Sequence, residues 1–135
     1  MGETRVLFLD DMGWRHSEFT RQTDRRPDVR VWQAHTAKGA IELLNSQEFD
    51  QVFLDHDLTE DDVMCVVGGP TVAPTGMTVV DHIMTMPAPP REVVVHSCNG
   101  PAAAAMHVRL EEHPAGIRVR RVPFPELIRL LSLRN

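Results

Sequence analysis

Acidic side chains follow two short apolar runs of the sequence, at the points where buried strands would end. Asp10 and Asp11 follow the run VLFL, and Asp55 and Asp57 follow the run VFL with one histidine between them. Carboxylate oxygens are the ligands that hard divalent cations prefer, and neighbouring carboxylates repel one another unless a cation neutralises them. We therefore predict that these four aspartates bind Mg²⁺ or Mn²⁺. The alternative is that they only cap the loops and helices that follow the strands.

A third apolar run, VVV, ends in the polar sequence HSCN. Ser97 and Asn99 can each donate a hydrogen bond to a phosphate oxygen, and Gly100 and Pro101 would begin a helix whose free backbone N–H groups attract an anion. Arg15, which follows the first acidic pair, can bind phosphate in a bidentate manner. Ser97, Asn99 and Arg15 are therefore predicted to bind phosphate. The alternatives are an N-cap role for Asn99, a turn role for Ser97 and a solvent-facing Arg15.

Two histidines stand within these polar ends, His56 between the aspartates of the second run and His96 at the start of HSCN. Imidazole is the side chain best suited to proton transfer near neutral pH, so His56 and His96 are candidate catalytic residues, together with Asp55. On a regular strand Asp55 and Asp57 point to one face and His56 to the other, so His56 reaches a ligand only if the strand has already turned into a loop. A structural role for both histidines is the alternative.

The elements that must position these side chains follow from the spacing of apolar residues. Runs at 6–9, 52–54 and 93–95 are apolar at consecutive positions, which predicts central strands of a parallel sheet, whereas 29–34 and 116–122 alternate and are predicted as edge strands. Helical spacing occurs in the segments 15–24, 37–45, 79–84, 102–110 and 124–131.

This alternation predicts a flavodoxin-like α/β fold. The expected architecture is a doubly wound, five-stranded parallel sheet in the order 2-1-3-4-5, with helices on both faces. Ligands of such sheets bind beyond the carboxyl ends of the first and third strands, where the two acidic runs end.

Length and charge bound the remaining expectations. The 135 residues, 42% of them hydrophobic, are expected to form a single domain over 1–135 with one irregular loop at about 59–75. The net charge of −5 argues against a broad basic face for duplex DNA. No apolar stretch approaches the roughly 20 residues of a membrane span, and the first residues do not resemble a secretion signal, so a cytoplasmic protein is expected. Cys65 and Cys98 are expected to be free thiols.

The same residues resemble the receiver domains of response regulators over nearly the whole chain. Asp10 and Asp11 match the metal-binding pair, Asp55 the phosphoaccepting aspartate and Ser97 the hydroxyl residue. The Lys-Pro pair that is usual after the fifth strand of a receiver is replaced by Val122-Pro123. Ordinary phosphorylation-driven switching, which uses that lysine, is therefore not expected.

The sequence more closely resembles the branch called the cyclic-phosphate processing receiver domain, through its segments LFLDD, TAKGAIELL, LDHDL and HSCN. This resemblance implies a receiver fold that acts as an enzyme on cyclic phosphate groups of nucleotides or RNA ends. It also implies that the aspartates hold a metal and the histidines transfer protons. The stretch 59–75 is then expected to act as a substrate lid.

Two alternative functions remain open on the sequence. The first is an atypical receiver that is not catalytic, or accepts phosphate on Asp55, and binds a protein partner as a signalling module. The second follows from residues 55–59, which fit the DxDxT motif of haloacid dehalogenase-type phosphatases. That class also needs a later lysine and a further acidic pair at strand ends, and the runs around His96 and Val122 do not supply them.

Overall fold

The computed structural model describes residues 3–58 and 75–133, which form alternating strands and helices. The strands are β1 (Thr4–Leu9), β2 (Val29–Ala34), β3 (Gln51–Leu54), β4 (Glu92–Val95) and β5 (Arg118–Arg121). The helices are α1 (Gly13–Thr23), α2 (Ala37–Ser46), α3 (Gly76–Met84), α4 (Gly100–Glu111) and α5 (Phe124–Leu133). The irregular loop predicted at 59–75, its expected role as a lid and Cys65 lie outside the described residues, apart from Thr75, the N-cap of α3.

The five strands form one parallel sheet in the order β2-β1-β3-β4-β5, so the predicted strand order is confirmed. The central strands are buried because their apolar residues occupy consecutive positions. Leu9 and Val95 belong to the core on one face of the sheet, with residues of α2, α3 and α4. Phe8 and Val94 belong to the core on the other face, with residues of α1 and α5. Helices therefore cover both faces, as predicted.

Local chemistry sets the ends of the elements. The Thr36 side chain accepts a hydrogen bond from the Gly39 N–H at 3.0 Å and begins α2. The strand β5 is shorter than the predicted segment 116–122, and Gly116 itself, with a φ of 77°, lies outside strand geometry. The helix α1 begins at Gly13, two residues earlier than predicted.

The start of α3 lies directly against the end of β3. The Gly76 N–H donates to the His56 carbonyl at 2.9 Å, and a Cβ atom added to Gly76 would stand 2.0 Å from the Asp55 carbonyl oxygen. A residue without a side chain is needed for this close approach. Within the described residues, no helix has the length and apolar character needed to cross a membrane.

Candidate functional site

The strand register brings three predicted site residues together. Leu9, Leu54 and Val95 are aligned at the ends of β1, β3 and β4, and the residues that follow them are Asp10, Asp55 and His96. Backbone pairing continues to these positions, because the Asp55 N–H donates to Leu9 and the His96 N–H donates to Leu54. Aligned residues of neighbouring parallel strands point to the same face. One ligand atom from each of the three side chains therefore lies within 4.8 Å of the other two.

Asp10 and His96 form a buried pair at the base of this cluster. His96 Nε2 lies 3.0 Å from Asp10 Oδ2, and neither side chain is exposed. Burial raises the pKa of Asp10, but the hydrogen bond from His96, the Met12 N–H and the charge of Arg15 outweigh it and lower the pKa below its ordinary value. The His96 ring stacks on Phe8, and its Nδ1 has no hydrogen-bond partner in the described part of the chain.

Arg15 reaches the cluster from the first turn of α1. Its Nη1 lies 3.2 Å from Asp10 Oδ2 and 3.6 Å from Asp55 Oδ2. Its guanidinium carbon also lies 5.4 Å from the Trp14 ring and 5.2 Å from the Phe124 ring. The guanidinium thus contacts two carboxylates here, and the binding of phosphate by Arg15 stays a prediction.

Asp55 is 3% exposed and carries the opposite pKa shift from Asp10. Burial raises the pKa of Asp55, and the nearby charge of Asp10 raises it further, while His96, the His56 N–H and Arg15 lower it. Its ionised form is therefore stabilised less well in this environment than in water.

His56 lies beyond the end of β3, which stops at Leu54. The chain has already turned, so the alternation of a regular strand does not separate His56 from its neighbours. His56 Nδ1 lies 2.8 Å from Asp57 Oδ1, with 22% of the histidine side chain and 57% of the aspartate side chain exposed. The imidazole is therefore oriented by a carboxylate and is still partly open to solvent.

A cavity of about 140 Å³ opens above the cluster. It is lined by Asp11, Met12, Arg15, Asp55, Asp57 and Cys98. Three of the four predicted metal-binding aspartates thus line one cavity, and Asp10 lies buried beside Asp55. A larger cavity of about 400 Å³ lies at the opposite edge of the sheet, between segments 44–50 and 86–91 that precede β3 and β4.

This donor set fits a divalent cation. Asp10 and Asp55 offer oxygen atoms within 4.8 Å of a ring nitrogen of His96, and the acidic residues Asp11 and Asp57 line the cavity beside them. The carboxylates outnumber the Arg15 guanidinium, and the raised pKa of Asp55 reflects the cost of placing its charge there. A hard cation with oxygen ligands and water relieves that cost. The cation and its ligands stay a prediction.

Ser97 and Asn99 lie at the start of α4. The Asn99 side chain accepts a hydrogen bond from the Ala102 N–H at 3.2 Å, so its role as an N-cap is confirmed. Ser97 Oγ accepts from the Asn99 N–H at 3.1 Å and keeps its own O–H as a donor. Phosphate binding by either side chain stays a prediction.

The sequence motifs did not identify several residues that lie beside the cluster. His16 is buried, and its Nε2 lies 2.8 Å from the Asp10 carbonyl oxygen. Met12 and Cys98 line the cavity, and Trp14 contacts Arg15. The one available signal was position, because Met12, Trp14 and His16 lie one to five residues after Asp11 and Cys98 lies within the polar end HSCN.

A parallel sheet of order 2-1-3-4-5 with an acidic cluster at its carboxyl edge is the arrangement found in receiver-type domains. A family model described as the cyclic-phosphate processing receiver domain matches residues 5–112. The chain belongs to this family. The match places the DxDxT-like segment in a receiver rather than in a dehalogenase-type phosphatase.

Solved structures agree on the fold. The CheY-like receiver domain of a response regulator from Methylobacillus flagellatus has a TM-score of 0.64 at 12% identity, over 99% of this chain and 100% of that chain. A response regulator from Burkholderia pseudomallei, solved with a phosphorylated aspartic acid, a calcium ion and citrate, has a TM-score of 0.61 at 18% identity, over 98% and 75% of the two chains. No protein with a curated description matches the sequence significantly.

Proposed function

We propose that this chain forms one domain that acts as a divalent metal-dependent phosphoesterase and opens cyclic phosphate groups on nucleotides or RNA ends. The observation that carries the proposal is that both strand-end histidines pair with a carboxylate, His56 with Asp57 at 2.8 Å and His96 with Asp10 at 3.0 Å. An imidazole oriented in this way can transfer a proton or hold a carboxylate in place, whereas an aspartate that accepts a phosphoryl group needs neither. The name of the family, which refers to cyclic phosphate processing, supports the same reaction.

Opening a cyclic phosphate adds water across one P–O bond. The water oxygen bonds to phosphorus, one ribose oxygen leaves, and one proton passes from the water to that oxygen. We assign this proton transfer to His56, because its side chain is partly exposed beside Asp57, which lines the cavity. Asp57 engages Nδ1, which leaves Nε2 to exchange the proton.

His96 is a positioning residue in this proposal. Both His96 and Asp10 are fully buried, so the imidazole acts on the ligand only through the carboxylate that it holds. Fixing a carboxylate in one orientation strengthens its binding of a metal.

The reaction also requires that the negative charges of the aspartates and of the phosphate be compensated. Asp10, Asp11 and Asp55 would hold the metal, with Asp57 at the rim, and the bound metal would polarise the phosphate oxygens. The position of the usual receiver lysine is Val122, whose N–H donates to Val95 and whose partly buried side chain packs against the core beside α5. We therefore assign the contact with the phosphate to Arg15, with Ser97 and Asn99 as hydrogen-bond donors.

The proposal predicts metal-dependent hydrolysis of adenosine 2′,3′-cyclic phosphate. His56→Ala should lower kcat by about 10²- to 10⁴-fold, because a general acid or base is lost. The matched control is His107→Ala on α4, because His107 also pairs with a carboxylate, Glu111 Oε2 at 3.1 Å, with 23% of its side chain exposed. Release of adenosine monophosphate, measured with Mn²⁺ and with EDTA, checks both variants, and His107→Ala should keep the wild-type rate.

The second candidate function is a phospho-accepting receiver. It is favoured by the position of Asp55 at the cavity, and the Burkholderia relative contains a phosphorylated aspartic acid. Incubation with acetyl phosphate would then add the mass of one phosphoryl group, and Asp55→Asn would abolish the addition. This result, together with no metal-dependent hydrolysis of any cyclic phosphate, would contradict the phosphoesterase and support the phospho-accepting receiver.

A further inference from the structure

We propose that the exposed ring of Trp14 is a stacking platform for a nucleobase, so that the substrate of this domain is a nucleotide or an RNA end rather than a cyclic phosphate without a base. This inference rests on the proposed function, because it places a base beside the phosphate that the cavity would hold.

Trp14 differs from the other aromatic side chains in its exposure. Its side chain is 57% exposed, whereas the five phenylalanines are all buried and Trp32 is partly buried. Met12, which is 44% exposed, lies two residues away and lines the cavity. Two exposed apolar side chains therefore stand two residues apart at the start of α1, and one of them lines the cavity.

Two contacts hold the Trp14 ring in place. The Phe124 ring packs edge-on against it with centroids 5.5 Å apart, and the Arg15 guanidinium lies 5.4 Å from its centroid. A ring that is already fixed loses little conformational freedom when a ligand stacks on it. The Trp14 ring is thus both exposed to solvent and fixed in position before a ligand binds.

Arg15 connects the Trp14 ring to the carboxylate cluster where the phosphate is proposed to bind. Arg15 contacts both Trp14 and the carboxylates Asp10 and Asp55, so one guanidinium joins the ring to the cluster. In a nucleoside 2′,3′-cyclic phosphate one ribose ring separates the base from the phosphate. Stacking on an aromatic ring is open to every base, because each base has a π face, so we expect little preference among bases.

Fluorescence tests the platform without any turnover. The chain has two tryptophans, so Trp32→Phe leaves Trp14 as the sole emitter, and Trp14→Phe is the matched control that leaves Trp32. Adenosine 2′-monophosphate should quench Trp32→Phe in a saturable manner, and ribose 5-phosphate at the same concentrations should not. The control should be quenched by neither compound. Equal behaviour of the two compounds with Trp32→Phe would overturn the inference.

Kinetics tests the platform during the reaction. Trp14→Ala should lower the ratio of kcat/KM on adenosine 2′,3′-cyclic phosphate to that on glycerol 1,2-cyclic phosphate by roughly tenfold to a hundredfold, mainly through KM. A short oligonucleotide with a terminal 2′,3′-cyclic phosphate distinguishes an RNA end from a free nucleotide by its higher kcat/KM. Hydrolysis with an unchanged ratio would overturn the platform and leave the proposed function standing. Quenching by the nucleotide without hydrolysis of any cyclic phosphate would leave the platform standing and overturn the enzyme.

Discussion

The carboxylate of Asp55 is placed where its charge is poorly stabilised. Burial and the neighbouring charge of Asp10 raise its pKa above the ordinary value of 3.8. The folded protein therefore takes up a proton on Asp55 at a higher pH than the unfolded chain does. The stability that this group contributes is present below the unfolded pKa and is lost as the pH rises through the folded pKa.

Asp55→Asn should therefore raise the melting temperature in EDTA, by an amount that grows as the pH rises from about 3 to 7. In saturating Mn²⁺ the wild type should instead have the higher melting temperature, because it gains stability from binding the metal. Calorimetry across this pH range, with and without metal, measures both effects. The matched control is Asp81→Asn on the exposed surface of α3, with an expected change within about 0.5 kcal/mol. An equal response of wild type and Asp55→Asn to Mn²⁺ would contradict a metal site at Asp55.

At the scale of elements, Gly76 fixes the distance between α3 and β3. A Cβ atom at this position would meet the Asp55 carbonyl oxygen at 2.0 Å, and backbone atoms cannot move aside without shifting the site. Gly76→Ala should therefore destabilise the protein by about 1–3 kcal/mol, in the range of an overpacked core. Urea unfolding followed by circular dichroism measures this loss.

The controls for Gly76 are two other glycines that begin helices. Gly13 begins α1 and Gly100 begins α4, and a Cβ atom at either position would meet nothing within 4 Å. Alanine at these positions should be neutral or stabilise the protein by up to about 1 kcal/mol, because it restricts the unfolded chain. A loss at all three positions would show that helix starts in general, and not the approach to Asp55, require glycine.

The strands and helices could be predicted from the sequence wherever the hydrophobic pattern determines them. Consecutive apolar residues gave the central strands, and the strand order followed from known rules of chain connection. The proximity of Asp10, Asp55 and His96 could be predicted for the same reason, since strand order and register fix which strand ends meet. Contacts of side chains could not be predicted.

Arg15 and His96 illustrate that limit. The sequence places Arg15 in the first turn of a helix but does not determine whether its guanidinium faces solvent, phosphate or carboxylates. The side chain of His96 is fully buried because the layer of Phe8 and Phe124 covers it, and these residues lie far from it in the sequence. Such contacts depend on packing between elements, which no local pattern records.

At the scale of the whole molecule, the receiver fold persists in structures that share 12% and 18% of their residues with this chain. A pattern of buried strands and covering helices is sufficient for this fold, whereas function depends on particular side chains. By the resemblance to receivers, Val122 stands where a lysine is usual, and it packs partly buried against the core, while a histidine follows β4. The same scaffold can therefore serve a different reaction.

The hydrogen bond between Asp10 and His96 also links folding kinetics to the site, because it joins residues 86 positions apart. Long-range pairing of parallel strands is slow, since the intervening chain must be closed into a loop first. A fluorescent or calorimetric signal that depends on Mn²⁺ should therefore develop only in the slowest refolding phase, when β4 has joined β3. A metal-dependent signal in an earlier phase would mean that Asp10 and Asp55 hold the ion before His96 arrives. If the signal develops only in the slowest phase, the bound ion reports complete folding. If it develops earlier, the ion does not.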